Sequence, residues 1–180
     1  MNKNVLLIST SPRKGGNSEM LAEAFAKGAA ESGNQVGKIN LYDKTIGFCK
    51  GCLTCVKTNR CVIHDDADTI AQKMMKADVL VFATPVYYYE MSGQMKTMLD
   101  RANPLYTSDY AFRDVYLLAT AAEAEESAMD GAIHGLQSWI ACFPKSRLAG
   151  TVFGGGVDRV GAIKGHASLD KAYEMGRTVS

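Results

Sequence analysis

The chain has 180 residues, 47% of them hydrophobic and 22% charged, which is enough apolar material for one α/β domain with a sizeable core over residues 1–180. A formal net charge of +1 leaves no basic excess for nucleic acid or a membrane surface, and no apolar stretch approaches a spanning length. With no signal-peptide pattern at the start, a cytoplasmic location is expected.

Val5 to Ile8 is a short branched apolar run, the pattern of a strand buried on both faces of a parallel sheet. Ser9, Thr10, Ser11, Asn17 and Ser18 then offer hydroxyls and an amide, and Arg13 offers a fork of donors. Gly15 and Gly16 let backbone N–H groups turn inward. Leu21, Ala24, Phe25, Gly28 and Ala29 recur at three- and four-residue steps, predicting a helix from about Ser18, with Asn17 or Ser18 as N-cap and Gly33 as its stop. Strand, hydroxyl-rich turn and helix N-terminus bring unpaired N–H groups and the positive end of a helix dipole to one point, and no acid lies between Ser9 and Ser18. The chain lacks the Gly-x4-Gly-Lys-Ser/Thr run, the three-glycine dinucleotide fingerprint and a cysteine nucleophile in this loop. The residues themselves therefore specify a phosphate monoester.

Gln35 to Leu41 reads as a weaker, edge-like strand. Tyr42 to Asp66 has no clean period and holds four of the five cysteines, as expected of an insertion that carries a site. Asp65, Asp66 and Asp68 crowd a predicted helix N-terminus, with Ile70, Met74 and Met75 facing inward. Val79 to Ala83 is a second buried strand, expected to end at Pro85 and release the loop Thr84 to Tyr89 at its carboxyl end. Gly93 to Ala102 predicts a helix with Met95, Met98 and Leu99 inward. Asp100-Arg101 reads as a surface or inter-element ion pair of little worth, and Asn103 to Phe112 as a lid or subunit contact. Val115 to Ala119 is the fourth strand, and Glu123 to Phe143 a long helix with an acidic start at Glu123, Glu125 and Glu126 and Cys142 as a buried thiol. Leu148 to Phe153 is the fifth strand, Gly154 to Gly156 a permissive loop, and Ser168 to about Thr178 the last helix. Alternation of strand and helix five times predicts a doubly wound parallel sheet with helices on both faces.

Cys49, Cys52 and Cys55 are each two residues apart, and Cys61 follows after five more. A compact loop giving three thiolates at this spacing, with a fourth nearby, suits a cubane iron–sulfur cluster. A zinc site with His64 and free or redox-active thiols are the alternatives, and a structural disulfide is disfavoured in a cytoplasm. His134 and His166 show no partner pattern and read as structural or surface residues.

Ser11-Pro12-Arg13-Lys14-Gly15-Gly16-Asn17-Ser18 resembles the phosphate loop of the flavodoxin-like, NADPH-dependent FMN reductases. Thr84-Pro85-Val86-Tyr87-Tyr88, with Gly93-Gln94-Met95-Lys96 following, is similar to that family's isoalloxazine loop, and the cysteine run resembles the compact motif of the iron–sulfur flavoproteins, inserted after the second strand. The resemblance implies a flavodoxin-like five-stranded sheet of order 2-1-3-4-5. It also implies FMN with its phosphate held by Ser9, Ser11, Arg13, Asn17 and Ser18 and its ring along Pro85, Val86, Tyr87 and Tyr88, with Thr120 and Ala121 approaching from the other side. Tyr89 is left to packing or a partner. Loading of the cysteine motif implies a 4Fe–4S cluster on Cys49, Cys52, Cys55 and Cys61. Electrons then pass from NAD(P)H or a ferredoxin-like donor to a small acceptor such as a quinone, nitro compound, flavin or oxygen, in a homodimer or higher homo-oligomer. The flavin carries the chemistry, without a side-chain acid or base. Two rival readings are a flavodoxin-like electron carrier, which the near-neutral charge opposes, and a cysteine-based redox or metal sensor with a vestigial flavin site.

Overall fold

In the computed structural model, which describes residues 2–180, the apolar runs pair into one parallel sheet. Its strands are β1 (Asn4–Ser9), β2 (Gln35–Asn40), β3 (Val79–Tyr87), β5 (Asp114–Thr120) and β6 (Arg147–Gly154), while β4 (Glu90–Met91) pairs antiparallel with the tip of β3. The order β2-β1-β3-β5-β6 is the doubly wound 2-1-3-4-5 arrangement of the five parallel strands. The helices are α1 (Asn17–Glu31), α2 (Cys55–Thr58), α3 (Asp66–Lys76), α4 (Gly93–Arg101), α5 (Asp130–Ile140) and α6 (Ala167–Arg177). Strand alternation divides the core. Val5, Leu7, Val81 and Leu118 pack with Leu21, Phe25 and Ala172 on the α1–α6 side, and Leu6, Ile8, Leu80 and Phe82 pack with Met74, Met98 and Leu136 on the other. Among the described residues no helix is long and apolar enough to cross a membrane.

Three boundaries differ from expectation. Gly16, not Asn17 or Ser18, is the N-cap of α1, so both polar residues fall inside the first turn with their side chains free for other work. β3 runs past Pro85 to Tyr87. Ala83 O accepts from the Thr10 N–H on the β1 side, and Pro85, two residues on, faces the same side, where β1 has already ended at Ser9. Its missing N–H therefore breaks no ladder bond. The long helix is α5, confined to Asp130–Ile140 after a 3-10 turn over Glu126–Met129. Residues 121–123 are instead tied to the loop after β6, since Ala121 N–H donates to Gly154 O, Gly156 N–H to Glu123 O, and Val157 N–H to Ala121 O. Because α5 stops at Ile140, Cys142 is exposed and not a core thiol.

Asn103 to Phe112 sends Pro104, Leu105, Tyr110 and Phe112 into the interior and leaves Tyr106, Thr107 and Asp109 exposed. Tyr110 meets Phe143 edge-on, Phe112 stacks on Trp139 and meets Phe143 edge-on, and Tyr106 alone among the segment's large apolar residues is exposed.

Residues 44–65 contain only the four-residue α2 and are fixed by charge at their ends. Asp65 caps α3 by accepting from the Ala67 N–H at 3.1 Å and accepts from the Gly47 N–H at 2.8 Å. Arg101, 1% exposed, forks onto both Asp65 oxygens at 2.7 and 2.8 Å and donates to the carbonyls of Gly47 (2.7 Å) and Ile63 (3.0 Å). The Asp100-Arg101 expectation is thus corrected: Asp100 pairs with Lys96 at the surface, whereas Arg101 is an interior clamp whose loss would strand a mostly buried carboxylate, at a cost of about 3–5 kcal/mol. Burial pushes the Asp65 carboxyl up, but the Arg101 fork and the Gly47 and Ala67 N–H groups outweigh it and hold the group below the usual carboxylate range. Asp68 is also lowered, by Arg60 and then by the Cys61 N–H.

Helices α1 and α6 cross at two glycines. A Cβ on Gly28 would run into the Tyr173 carbonyl oxygen, and one on Gly176 into the Phe25 carbonyl oxygen, so the backbones meet directly. Gly28→Val is expected to destabilise the protein by about 3 kcal/mol in urea unfolding. Because Asp65 and Asp68 titrate lower in the folded than in the unfolded chain, their stabilisation is complete above the ordinary carboxylate range and is lost as pH falls through their lowered values. Thermal midpoints followed from neutral to acid pH should fall more steeply for the wild type than for Asp65→Asn, which should start lower.

Candidate functional site

The first loop follows from the end of β1. Ser11 Oγ accepts from the Arg13 N–H at 3.1 Å and reaches the Arg13 carbonyl at 3.2 Å, which curls the chain around Pro12. Gly15 adopts φ +66°, a left-handed position that glycine takes without strain. A Cβ on Gly16 would lie 2.8 Å from Ser11 Oγ, so glycine keeps this concavity open. No hydrogen bond among the described residues uses the N–H groups of Ser11, Asn17 or Ser18, the last two being the first of α1. Gly15 N–H is covered by Glu19 Oε2 at 2.6 Å, and Gly16 N–H by the Arg13 carbonyl at 3.2 Å.

These groups face a cavity of about 210 Å³ at the carboxyl ends of the strands. Nine of the eleven expected cofactor-binding residues line it: Ser11, Arg13, Asn17 and Ser18 from the first loop, Pro85, Val86 and Tyr87 from β3, and Thr120 and Ala121 from the end of β5. Ser9 and Tyr88 do not. Ser9 lies beneath the loop at the end of β1, 1% exposed, and its Oγ has no hydrogen-bond partner among the described residues. Tyr88 is fully exposed at the tip of the β3–β4 hairpin, where it and Tyr89 both take left-handed φ values of 51° and 64°. Gly131 of α5 leaves room for the Tyr89 carbonyl against it, so the hairpin is seated through its backbone.

The remaining wall is the loop after β6, with Val157, Asp158 and Val160. Asn17 holds it: Nδ2 donates to the carbonyls of Val157 (3.3 Å) and Arg159 (2.9 Å), and Oδ1 accepts from the N–H groups of Gly161 (3.0 Å) and Ile163 (3.3 Å). Arg13 Nη1 adds a bond to the Asp158 carbonyl at 2.9 Å, and Ser18 Oγ is paired with Thr120 Oγ1 at 2.7 Å. Asn17 and Ser18 therefore brace the site with their side chains and present backbone N–H groups to the cavity. Sequence reasoning left this wall out, although the glycines at 154–156, 161 and 165 follow the last strand at the edge where such loops converge. A phosphate monoester fits the unpaired N–H groups, the Arg13 fork, the dipole of α1 and the glycine-floored concavity.

A second cavity, about 440 Å³, is lined by Cys49, Cys52, Cys55 and Cys61 together with Asn103, Tyr106 and Trp139. Cys142 lines it as a fifth thiol. Sulfurs here meet N–H donors: Gly51 N–H reaches Cys49 Sγ at 3.4 Å, Ile63 N–H reaches Cys61 Sγ at 3.5 Å, and Asn103 Nδ2 reaches Cys55 Sγ at 3.0 Å. The Thr54 N–H, then its hydroxyl, pull the exposed Cys52 thiol below its usual range. Leu53, at φ 57°, and Gly51, at φ 64°, bend this arm through left-handed backbone. Among the described residues no three His, Cys, Asp or Glu side chains stand together as a metal-binding group, so the thiols share a cavity without converging. As a donor set, thiols with N–H partners suit a metal–sulfur centre. His64 and His134 are exposed, and His166 caps α6 by accepting from the Ser168 N–H at 3.1 Å.

Residues 3–154 match the family model described as NADPH-dependent FMN reductase. An iron–sulfur flavoprotein of Methanocaldococcus jannaschii is 40% identical over 101 residues, 56% of this chain and 52% of that protein. One from Methanosarcina thermophila is 31% identical over 134 residues, 74% of this chain and 70% of that protein. The chain spans about half the length of the first of the curated relatives it matches. In fold, it is similar to the solved NAD(P)H:quinone oxidoreductase of Methanothermobacter marburgensis, with TM-score 0.71 and 17% identity over 98% of this chain and 96% of that one. The doubly wound sheet, the phosphate-shaped first loop and the match over most of its length agree: the chain belongs to the NADPH-dependent FMN reductase family.

Proposed function

We propose that the chain is an FMN-dependent oxidoreductase that takes electrons from NAD(P)H or a ferredoxin-like donor and passes them to a small acceptor such as a quinone, nitro compound, second flavin or oxygen. The observation that carries this reading is the convergence of three loops on one cavity, with unpaired N–H groups and Arg13 at one end and the Pro85–Tyr87 strand surface at the other. Ser11, Arg13 and the N–H groups of Asn17 and Ser18 would hold the phosphate, and Ser9 Oγ beneath them is a further hydroxyl with no partner among the described residues. Pro85, Val86 and Tyr87 would carry the ring, with Thr120 and Ala121 opposite. Bound FMN supplies hydride acceptance and one-electron transfer, and the protein supplies orientation and charge. The active form is a homodimer or higher homo-oligomer.

A second cofactor belongs to the same reading: a 4Fe–4S cluster on Cys49, Cys52, Cys55 and Cys61. Its support is their shared cavity, the N–H donors at three of their sulfurs and the name iron–sulfur flavoprotein borne by relatives of this chain.

Purified protein titrated with FMN should acquire the flavin absorbance doublet; a chain that stays colourless overturns the reading. Arg13→Glu should weaken FMN binding about 100-fold, roughly 3 kcal/mol, while binding of riboflavin, which lacks the phosphate, should change little. Equal FMN affinity in the variant would show that the phosphate lies elsewhere. Cys55→Ala should bind FMN as the wild type does but lose iron and sulfide uptake in anaerobic reconstitution, measured by iron analysis and visible absorbance.

A further inference from the structure

Three buried hydroxyls link the two ends of the cavity. Thr10, Thr84 and Ser92 are fully buried and none of them lines it, yet Thr10 precedes Ser11 of the first loop and Thr84 precedes Pro85 of the strand surface. Ser92, which follows β4 and caps α4, bonds to both. Its N–H donates to Thr84 Oγ1 at 3.0 Å, and that hydroxyl donates on to the Pro85 carbonyl at 3.0 Å. Its Oγ accepts from the Met95 N–H at 3.3 Å and meets Thr10 twice, at Oγ1 (3.0 Å) and at the carbonyl oxygen (3.2 Å). Thr10 Oγ1 also reaches the Ala83 carbonyl at 3.1 Å. Thr10 and Ser92 have one hydroxyl proton each for these contacts, and every way of placing the two protons leaves a hydrogen bond between the residues. Among the described residues no hydrogen bond joins residues 11–18 directly to residues 84–87, so Ser92 is the bridge from one stretch to the other.

We propose that Ser92 is a positioning residue for FMN: through Thr10 and Thr84 it fixes the span between the loop that takes the phosphate and the strand surface that takes the ring. The inference rests on the reading of this cavity as the FMN site. FMN carries ring and phosphate on one chain, so its second contact forms at an effective concentration set by how well the two half-sites are spaced. A ligand that uses only one half gains nothing from the spacing. Loss of the bridge therefore weakens FMN and spares riboflavin and inorganic phosphate, whose own contacts all remain. The bridge holds its geometry because a hydroxyl left unpaired in the interior is costly.

The test compares the wild type with Ser92→Ala, Thr84→Val, their double variant and Thr84→Ser. Binding of FMN and of riboflavin is read from quenching of flavin fluorescence, and binding of inorganic phosphate from its competition with FMN. Ser92→Ala cuts the bridge on the Thr10 side, and Thr84→Val cuts it on the β3 side while leaving the α4 cap intact. Each is expected to raise the Kd of FMN about tenfold, with riboflavin and phosphate binding as in the wild type. Because both cut one bridge, the double variant should bind FMN no more weakly than the weaker single. Thr84→Ser, which keeps the hydroxyl, should restore FMN binding. Should one single variant fail to fold, the other decides by the same comparison. A wild type that binds no FMN overturns the reading of the cavity, and this inference with it. A wild type that binds FMN, with variants that keep its affinity or lose FMN and riboflavin by the same factor, overturns the inference alone, since a lost helix cap or a loosened core would treat both flavins alike.

Discussion

Because β1 stops at Ser9 while β3 continues to Tyr87, the two central strands part at Ala83, and the chain leaving β1 turns back over the sheet through a loop that leaves the N–H groups of Ser11, Asn17 and Ser18 without a partner among the described residues. The crevice, the open N–H groups at the start of α1 and the proline–tyrosine wall all follow from that difference in strand length. Asn17 turns it into a walled cavity by spending its whole amide on the backbone of residues 157–163, an arrangement that only a side chain with both a donor and an acceptor end can make.

What could be read from the sequence was what depends on local pattern. The buried runs at Val5–Ile8, Val79–Ala83 and Val115–Ala119 announced central parallel strands, because a strand covered on both faces has no polar alternation to confuse the reading. The donor-rich turn that shapes one end of the cavity was visible because donors and glycines crowd a strand–helix junction. What stayed hidden depends on partners distant in the chain. Pro85 looked like a strand end, yet its effect depends on whether a neighbouring strand still runs beside it. Glu123 to Phe143 looked like one helix, but the backbone of residues 121–123 bonds to the loop after β6, more than thirty residues away. Tyr88 could be assigned to a ring-facing surface only until the left-handed turn at the hairpin tip was known.

The cysteine segment shows the same division. The spacing of Cys49, Cys52 and Cys55 signals shared chemistry, but nothing in it reveals that Cys142 lines the same cavity or that a buried Arg101 holds the carbonyls of Gly47 and Ile63 on either side of the cysteines. An Asp-Arg pair at the end of a helix ordinarily means a solvated surface. Here the two neighbours face opposite ways, one to water and one to a carboxylate in the interior, and only the three-dimensional path of residues 47–65 distinguishes them.

The crossing of α1 and α6 adds a consequence for the tail of the chain. Residues 155–180 lie beyond the part that matches the family, yet their helix meets α1 backbone to backbone at Gly28 and Gly176, while the loop before it is stapled to Asn17 at the other end of α1. Tail and phosphate loop are thereby anchored at opposite ends of a single fifteen-residue rod. The segment beyond the matched part is therefore, mechanically, part of the frame that holds the walls of the cavity in place.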